Sequence, residues 1–202
     1  MKPSGVIQCS DFPCLDTRRA SYLVPSVDID PAKVSILLIS EAAPEDPADG
    51  YYAGPEALFA QTTLLAFQEA GTKVASVQDI LDLGVYLTTA VKCAKTGYGI
   101  ASVTIERCSS LLEQEIGLFP NVKAYLLMGD VAIRAINLIA RRNGEPRVIP
   151  VGSTYKLRGG EFTFRGARAF PSYVQAGPAF FVEKSKRKMI AEDIRKALLI
   201  AA

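Results

Sequence analysis

The absence of histidine limits the chemistry that this chain could perform. The sequence has 202 residues and four cysteines but no histidine. It therefore cannot build a Ser-His-Asp triad, a Cys-His pair, or a histidine-ligated zinc or haem site. Any catalysis must use carboxylates, lysines, tyrosines, backbone dipoles or a thiolate-bound metal.

The four cysteines are arranged in two pairs. Four residues separate Cys9 from Cys14, and fourteen separate Cys93 from Cys108. Four thiolates suit one 4Fe–4S cluster or one all-cysteine zinc site. Structural zinc sites usually use closely spaced cysteines, and only the first pair is spaced in that way, which favours iron–sulfur. Four separate buried thiols are the alternative, because free cysteine is among the most buried residue types.

The net charge of +2 conceals an acidic part and a basic part of the chain. Residues 1–121 contain 8 Lys and Arg against 15 Asp and Glu, whereas residues 122–202 contain 15 against 6. The basic part favours a surface that binds a polyanion, although a solvated face without a partner would have the same composition. Four of its residues are predicted to form a basic, phosphate-contacting hairpin: Lys156, Arg158, Arg165 and Arg168.

Short apolar runs that suit buried strands alternate with segments of helical periodicity. The predicted strands cover residues 34–39, 85–91 and 124–128, and the predicted helices cover 55–70, 104–118, 130–142 and 182–200. Gly159 and Gly160 indicate the turn of a hairpin between residues 154–158 and 161–165. A fourth short strand is predicted over residues 168–170.

This alternation predicts an α/β fold: a three-layer α/β/α sandwich around a mostly parallel four-stranded sheet, forming one domain over residues 1–202. In such folds the site lies beyond the carboxyl ends of the strands, here the loops after Ile39, Val91, Met128 and Phe170. The apolar runs are far shorter than the roughly 20 residues of a membrane span, and the N-terminus leads into polar residues. We therefore expect a monomeric cytoplasmic protein without membrane contact, whose thiols stay reduced.

Several short motifs follow one another in an order that is more specific than any one of them. They are Cys9 and Cys14 with Leu15 and Arg18, Ser40-Glu-Ala-Ala-Pro44, Tyr51-Tyr-Ala-Gly54, Phe67-Gln-Glu-Ala-Gly71, Tyr86-Leu-Thr-Thr-Ala-Val-Lys-Cys93, Leu126-Leu-Met-Gly129 with Ala132, Leu157-Arg-Gly159 and Phe170-Pro-Ser-Tyr173. In this order they resemble the uracil-DNA glycosylase superfamily, most closely its iron–sulfur branch. That branch usually has two residues, not four, between its first two cysteines.

The resemblance implies hydrolysis of the bond between uracil and deoxyribose in single- or double-stranded DNA, on a nucleotide flipped out of the base stack. It also implies that Cys9, Cys14, Cys93 and Cys108 hold a structural 4Fe–4S cluster, which would tie residues 1–33 to the domain. Zinc, or no metal, is the alternative that the cysteine spacing leaves open.

The resemblance also assigns roles to residues of the expected site. By position, Glu41 corresponds to the acid near the attacking water and Tyr52 to the aromatic that stacks on uracil. Thr89 stands in place of an asparagine that reads uracil, and Phe170 in place of a histidine that hydrogen-bonds the departing base. A hydroxyl cannot reproduce the two-point contact of an amide, and a phenyl ring has no donor. Ser172, in the same loop, is a further candidate for base binding.

These departures from the family pattern lead to two expectations of different classes. In the first, the protein is a DNA-repair glycosylase of altered specificity or reduced activity. In the second, it is a catalytically inactive iron–sulfur relative that keeps the fold, the cluster and the ability to bind DNA.

Overall fold

A five-stranded sheet forms the centre of the fold in the computed structural model, which describes residues 1–201. The strands of the described residues are, in chain order, β1 (Thr17–Arg18), β2 (Ile36–Ala42), β3 (Val85–Val91), β4 (Ala94–Lys95), β5 (Ala124–Met128), β6 (Phe162–Phe164) and β7 (Ala167–Ser172). β1 and β4 pair with each other outside the central sheet. The order in the sheet is β3-β2-β5-β7-β6, and the first four strands are parallel. β6 runs antiparallel to β7, so the predicted four-stranded parallel sheet gains a fifth strand at one edge.

Helices cover both faces of this sheet and confirm the predicted three-layer α/β/α fold. In chain order they are α1 (Leu58–Glu69), α2 (Val77–Asp82), α3 (Ser102–Ile116), α4 (Asp130–Arg142), α5 (Thr154–Leu157), α6 (Ala179–Val182) and α7 (Lys184–Ala201). α3 and α4 pack on one face, and α1 and α7 pack on the other. Within residues 1–201, none of the helices combines the length and the apolar character needed to cross a membrane.

The central strands are buried on both sides, as their unbroken apolar sequences predict. Every residue of β3 and β5 is buried. Along β2, Leu37 and Ile39 join the core under α3 and α4, whereas Ile36 and Leu38 join the core under α1 and α7. The period of two along one strand therefore supplies both apolar layers.

The hairpin predicted around Gly159 and Gly160 is wrong. The residues before these glycines form α5, and the observed hairpin turn lies at Arg165 and Gly166, between β6 and β7. The favoured two-residue turn needs a positive φ at both central residues. Arg165 and Gly166 have φ values of 51° and 80°, whereas Gly159 and Gly160 are outside the positive-φ region. β7 includes residues 168–170, so the predicted fourth strand is present.

Main-chain hydrogen bonds attach the N-terminal segment to the domain. β1 pairs antiparallel with β4, which directly follows Cys93. The Leu23 N–H donates to the carbonyl of Lys92, and the Ala94 N–H donates to Ser21 Oγ, both at 2.7 Å. The predicted cluster would therefore add to this attachment rather than supply all of it.

Candidate functional site

An apolar cavity of about 210 Å³ opens at the carboxyl ends of β2 and β3. Tyr52 and Thr89 line it, together with Tyr51, Phe59 and Thr88. The structure thus places two of the predicted base-binding residues in one wall. A small, mostly apolar cavity with a few polar groups suits a small planar ring.

Tyr52 is held rigidly against the outer strand of the sheet. The outward N–H of Leu87 faces no further strand, because β3 is an edge strand, and it donates to Tyr52 Oη at 2.9 Å. The ring of Tyr52 stacks on that of Tyr86, with ring centroids 6.3 Å apart and an interplanar angle of 25°. Burial raises the pKa of Tyr52 well above its ordinary value, so its hydroxyl stays protonated.

The hydroxyls of Thr88 and Thr89, in the cavity wall, both donate their protons to acceptors within the protein. Thr89 Oγ1 donates to the carbonyl of Val91 at 3.0 Å, and a carbonyl can only accept. Thr88 Oγ1 donates to Glu115 Oε1 at 2.9 Å, while it accepts from Lys92 Nζ. Both hydroxyls therefore offer lone pairs to a ligand, whereas the carbonyl oxygens of uracil require donors.

A fully buried ion pair lies behind this wall. Lys92 and Glu115 have side chains that are 0% and 1% exposed, and Lys92 Nζ contacts Glu115 Oε2. Lys92 Nζ also donates to Thr88 Oγ1 at 2.9 Å and to the carbonyl of Thr89 at 2.6 Å. The hydroxyl of Tyr86 donates to Glu115 Oε1 at 2.7 Å. All three ammonium protons therefore have acceptors, and the pair connects α3 to the end of β3.

The buried role of Glu115 was not predicted from the sequence, although its position in α3 is a signal of it. Glu115 is three residues after Leu112 and seven after Cys108, on the buried face of α3. A carboxylate on the apolar stripe of an amphipathic helix needs a buried partner. The lysine within the otherwise apolar sequence around Cys93 is that partner.

Glu41 lies in a groove of about 710 Å³ that shares Phe59 with the cavity. The Val131 N–H donates to Glu41 Oε1 at 3.4 Å, at the N-terminus of α4, where the helix dipole favours a carboxylate. Gly129 makes this approach possible. Its φ is 103°, and a Cβ there would lie 2.6 Å from Glu41 Oε1 and 2.5 Å from Val174 Cγ2. The predicted catalytic acid is thus held beside the cavity with open space in front of it.

We expect Gly129→Ala to displace Glu41 and to destabilise the protein. The added methyl group would clash with Val174 and with Glu41, and the positive φ would add backbone strain of about 1–2 kcal/mol. Gly144→Ala is the matched control, because Gly144 also has a positive φ of 71° but a Cβ there meets nothing within 4 Å. Urea unfolding should show the larger loss for Gly129→Ala; equal losses would contradict the close packing at Gly129.

Phe170 and Ser172 do not line this cavity. Phe170 is 4% exposed and belongs to the apolar layer under α1 and α7. Ser172 is fully buried, and its Oγ donates to Asp193 Oδ2 at 2.6 Å. The structure therefore does not bring these two residues to Tyr52 and Thr89, and their roles in base binding stay predictions.

Three of the four predicted DNA-binding residues are bound to partners within the protein. Arg158 binds Asp193 Oδ1 at 2.9 Å and Arg165 binds Glu113 Oε1 at 2.5 Å, while Arg168 donates to the carbonyl of Gly160 at 2.9 Å. Lys156 is exposed. Arg165 lies in the turn before β7 and Arg168 near the start of β7, at the end of the parallel strands opposite Glu41. Phosphate contact by this set stays a prediction, in which the three arginines would have to exchange partners.

The four cysteines line one small cavity, together with Phe12, Thr17, Arg19, Tyr22 and Leu111. Cys93 and Cys108 are each 8% exposed, and Cys9 and Cys14 are half-buried. Burial, reinforced by the neighbouring thiols, raises the pKa of Cys93 to about 12. Phe12, between the first two cysteines, has a φ of 44°, a left-handed conformation that is costly for an aromatic residue.

This donor set matches a 4Fe–4S cluster in the type and the number of its ligands, because four thiols line the same cavity. In the part of the chain that the structure describes, no three His, Cys, Asp or Glu side chains are grouped so that they could hold a metal ion. The thiols are thus gathered around one cavity without forming a closed ligand sphere.

The three-layer fold, with the Glu41 groove and the apolar cavity at the carboxyl ends of its parallel strands, is consistent with the predicted uracil-DNA glycosylase-like fold. No family model matches the chain. Over 125 residues it is 28% identical to a type-5 uracil-DNA glycosylase of Thermus thermophilus, a match that covers 61% of this chain. It spans about half of that relative, 53% of its length. This similarity supports the resemblance of the chain to the uracil-DNA glycosylase superfamily.

Proposed function

We propose that this protein is a DNA N-glycosylase of altered or narrow base specificity, which hydrolyses the bond between a damaged base and deoxyribose in a flipped nucleotide. The observation that carries the proposal is the position of Glu41, fixed at the N-terminus of α4 in an open groove beside an apolar cavity. The name of the Thermus thermophilus relative supports the same reaction class.

In this reaction the bond from the sugar to the base nitrogen breaks, and its electron pair leaves with the base. The sugar becomes positively charged, and a carboxylate beside it stabilises that charge more than it stabilises the neutral substrate. Glu41 would do this and hold the water whose oxygen bonds to the sugar carbon. The water's proton ends on the departing base. Tyr52 would stack on that base in the cavity.

The proposal is tested by base release from oligonucleotides that contain uracil, hypoxanthine or xanthine, each in single- and double-stranded form. We expect release from at least one substrate and none from unmodified DNA. Binding without release from any of them would contradict the enzyme proposal.

A second candidate is a catalytically inactive iron–sulfur DNA-binding protein. Thr89 and Phe170 favour it, because the hydroxyl of the first has no free proton and the second is buried in the core. The same assay separates the two candidates, since the inactive protein would bind DNA and release no base.

We further propose that Cys9, Cys14, Cys93 and Cys108 bind a structural 4Fe–4S cluster. Anaerobically purified protein should be brown, absorb at roughly 400 nm and contain iron and sulfide in equal amounts. Cys93→Ala should lose the absorbance, whereas Ser109→Ala, on the same helix as Cys108, should keep it. Colourless protein with stoichiometric zinc, or with no metal, would contradict the cluster.

We expect Thr89→Asn to increase the release of uracil. An amide supplies both a donor and an acceptor, and a good two-point contact with a base contributes about 1–3 kcal/mol. The rate on uracil-containing DNA should rise by about tenfold or more. Thr89→Val is the matched control, because it removes the hydroxyl without adding an amide and should give no increase. Equal rates for both variants would show that residue 89 does not read the base.

A further inference from the structure

The loop between β4 and α3 holds one aromatic ring away from the rest of the protein. Asp16 fastens both ends of this loop: its carbonyl accepts from the Thr96 N–H at 2.9 Å, and its Oδ2 accepts from the Ala101 N–H at 2.6 Å. Asp16 Oδ1 also accepts from Thr104 Oγ1. The base of the loop is thus closed, and its tip, residues 97–99, projects from it.

Tyr98 occupies this tip, and its side chain is fully exposed. A single exposed aromatic residue is common on protein surfaces and needs no explanation by itself. Tyr98 differs because it lines the same groove as Glu41. A closed loop therefore presents a ring to solvent at the rim of the candidate active site.

Two cations accompany this ring. Lys95 and Arg18 line the same groove, and Lys95 Nζ donates to the carbonyl of Tyr98 at 3.0 Å. Lys95 is exposed, and Arg18 forms a surface ion pair with Glu45. Because an exposed ion pair contributes little stability, a phosphate could displace Glu45 from Arg18 at little cost. An aromatic face beside cationic side chains is the combination that binds nucleotides: the ring stacks on a base, and the cations attract the phosphates.

We propose that Tyr98 is a stacking platform for an unpaired base that neighbours the nucleotide entering the cavity. The structure favours single-stranded or locally opened DNA as the occupant, because the face of a base is available for stacking only when its neighbour has moved away. This inference rests on the proposed function, since it takes DNA as the polymer in the groove.

The chain contains no tryptophan, which allows a direct optical test. Tyr98→Trp would introduce a single tryptophan, whose fluorescence is quenched when a base stacks on it. The ligand is a single-stranded oligonucleotide without any damaged base, so the test does not require catalysis. Leu199→Trp is the matched control, because Leu199 is also exposed, at 74%, but neither lines the groove nor neighbours a predicted DNA-binding residue in the sequence. We expect quenching at position 98 and little at position 199.

Affinity provides the second measurement, by fluorescence anisotropy of a labelled oligonucleotide. Tyr98→Ala should weaken binding by about 10- to 100-fold, while Tyr98→Phe should bind like the unmodified protein, because the ring and not the hydroxyl stacks. Binding that is unaffected by Tyr98→Ala, or that leaves the tryptophan unquenched, would overturn the inference and leave the proposed function standing. If the unmodified protein binds no single-stranded oligonucleotide, the inference fails, whereas the proposed function is decided separately by the base-release assay.

Discussion

Lys92→Met should destabilise the protein by about 3–5 kcal/mol, the largest effect we expect from a single substitution outside the apolar core. The substitution would leave the carboxylate of Glu115 buried at 1% exposure without its charged partner. An unpaired charge in such surroundings costs far more than the ion pair itself contributes. Urea unfolding followed by circular dichroism would measure the loss.

The double variant Lys92→Met/Glu115→Leu separates a missing charge from missing packing. Because it removes both charges, it should regain most of the stability that Lys92→Met loses. Arg141→Met is the surface control: Arg141 pairs with Glu106 on the same helical layer, but both side chains are more than half exposed. Its loss should stay within roughly 1 kcal/mol. A double variant as unstable as Lys92→Met would contradict the charge argument.

Glu41→Gln should slow base release by about 10²–10³-fold and leave DNA affinity nearly unchanged. The amide keeps the shape of the side chain but removes the negative charge that would face the sugar in the transition state. Single-turnover base release measures the chemical step, and anisotropy measures binding. The largest loss should be in the rate constant rather than in the affinity.

Glu45→Gln is the matched control for Glu41→Gln. Glu45 lines the same groove, but its side chain is 73% exposed and its carboxylate pairs with Arg18. It should change the rate by no more than about twofold. Equal losses of rate in the two variants would indicate that the overall negative charge of the groove matters, rather than the carboxylate of Glu41 in particular.

The bounds of the central elements could be predicted because their sequences are locally unambiguous. The predicted strands over 85–91 and 124–128 and the helix over 130–142 coincide with β3, β5 and α4. Unbroken apolar runs bounded by glycine or charged residues leave few alternatives for a buried parallel strand. The hairpin failed because two glycines permit a turn without requiring one, and the chain uses Arg165 and Gly166 instead.

The direction of side chains was harder to predict than the elements that carry them. Phe170 pairs in register with Leu126, so both project into the layer under α1 and α7. A shift of one residue would place position 170 on the opposite face, and nothing in the local sequence fixes that register. The position of Glu115 on the buried face of α3 indicates that it needs a buried partner, but the choice of Lys92, 23 positions away, depends on how α3 packs on the sheet.

The pairing of β1 with β4 has a consequence for how the protein assembles. Arg18 meets Ala94 across 76 positions of sequence, and the short ladder offers few bonds in return for closing so large a loop. We therefore expect the N-terminal segment to join the domain after the sheet and α3 have formed, and to exchange its amide protons first. Cys9 and Cys14 lie in this N-terminal segment, whereas Cys93 and Cys108 lie in the rest of the domain. Opening of the N-terminal segment would give access to the cysteine cavity without unfolding the domain.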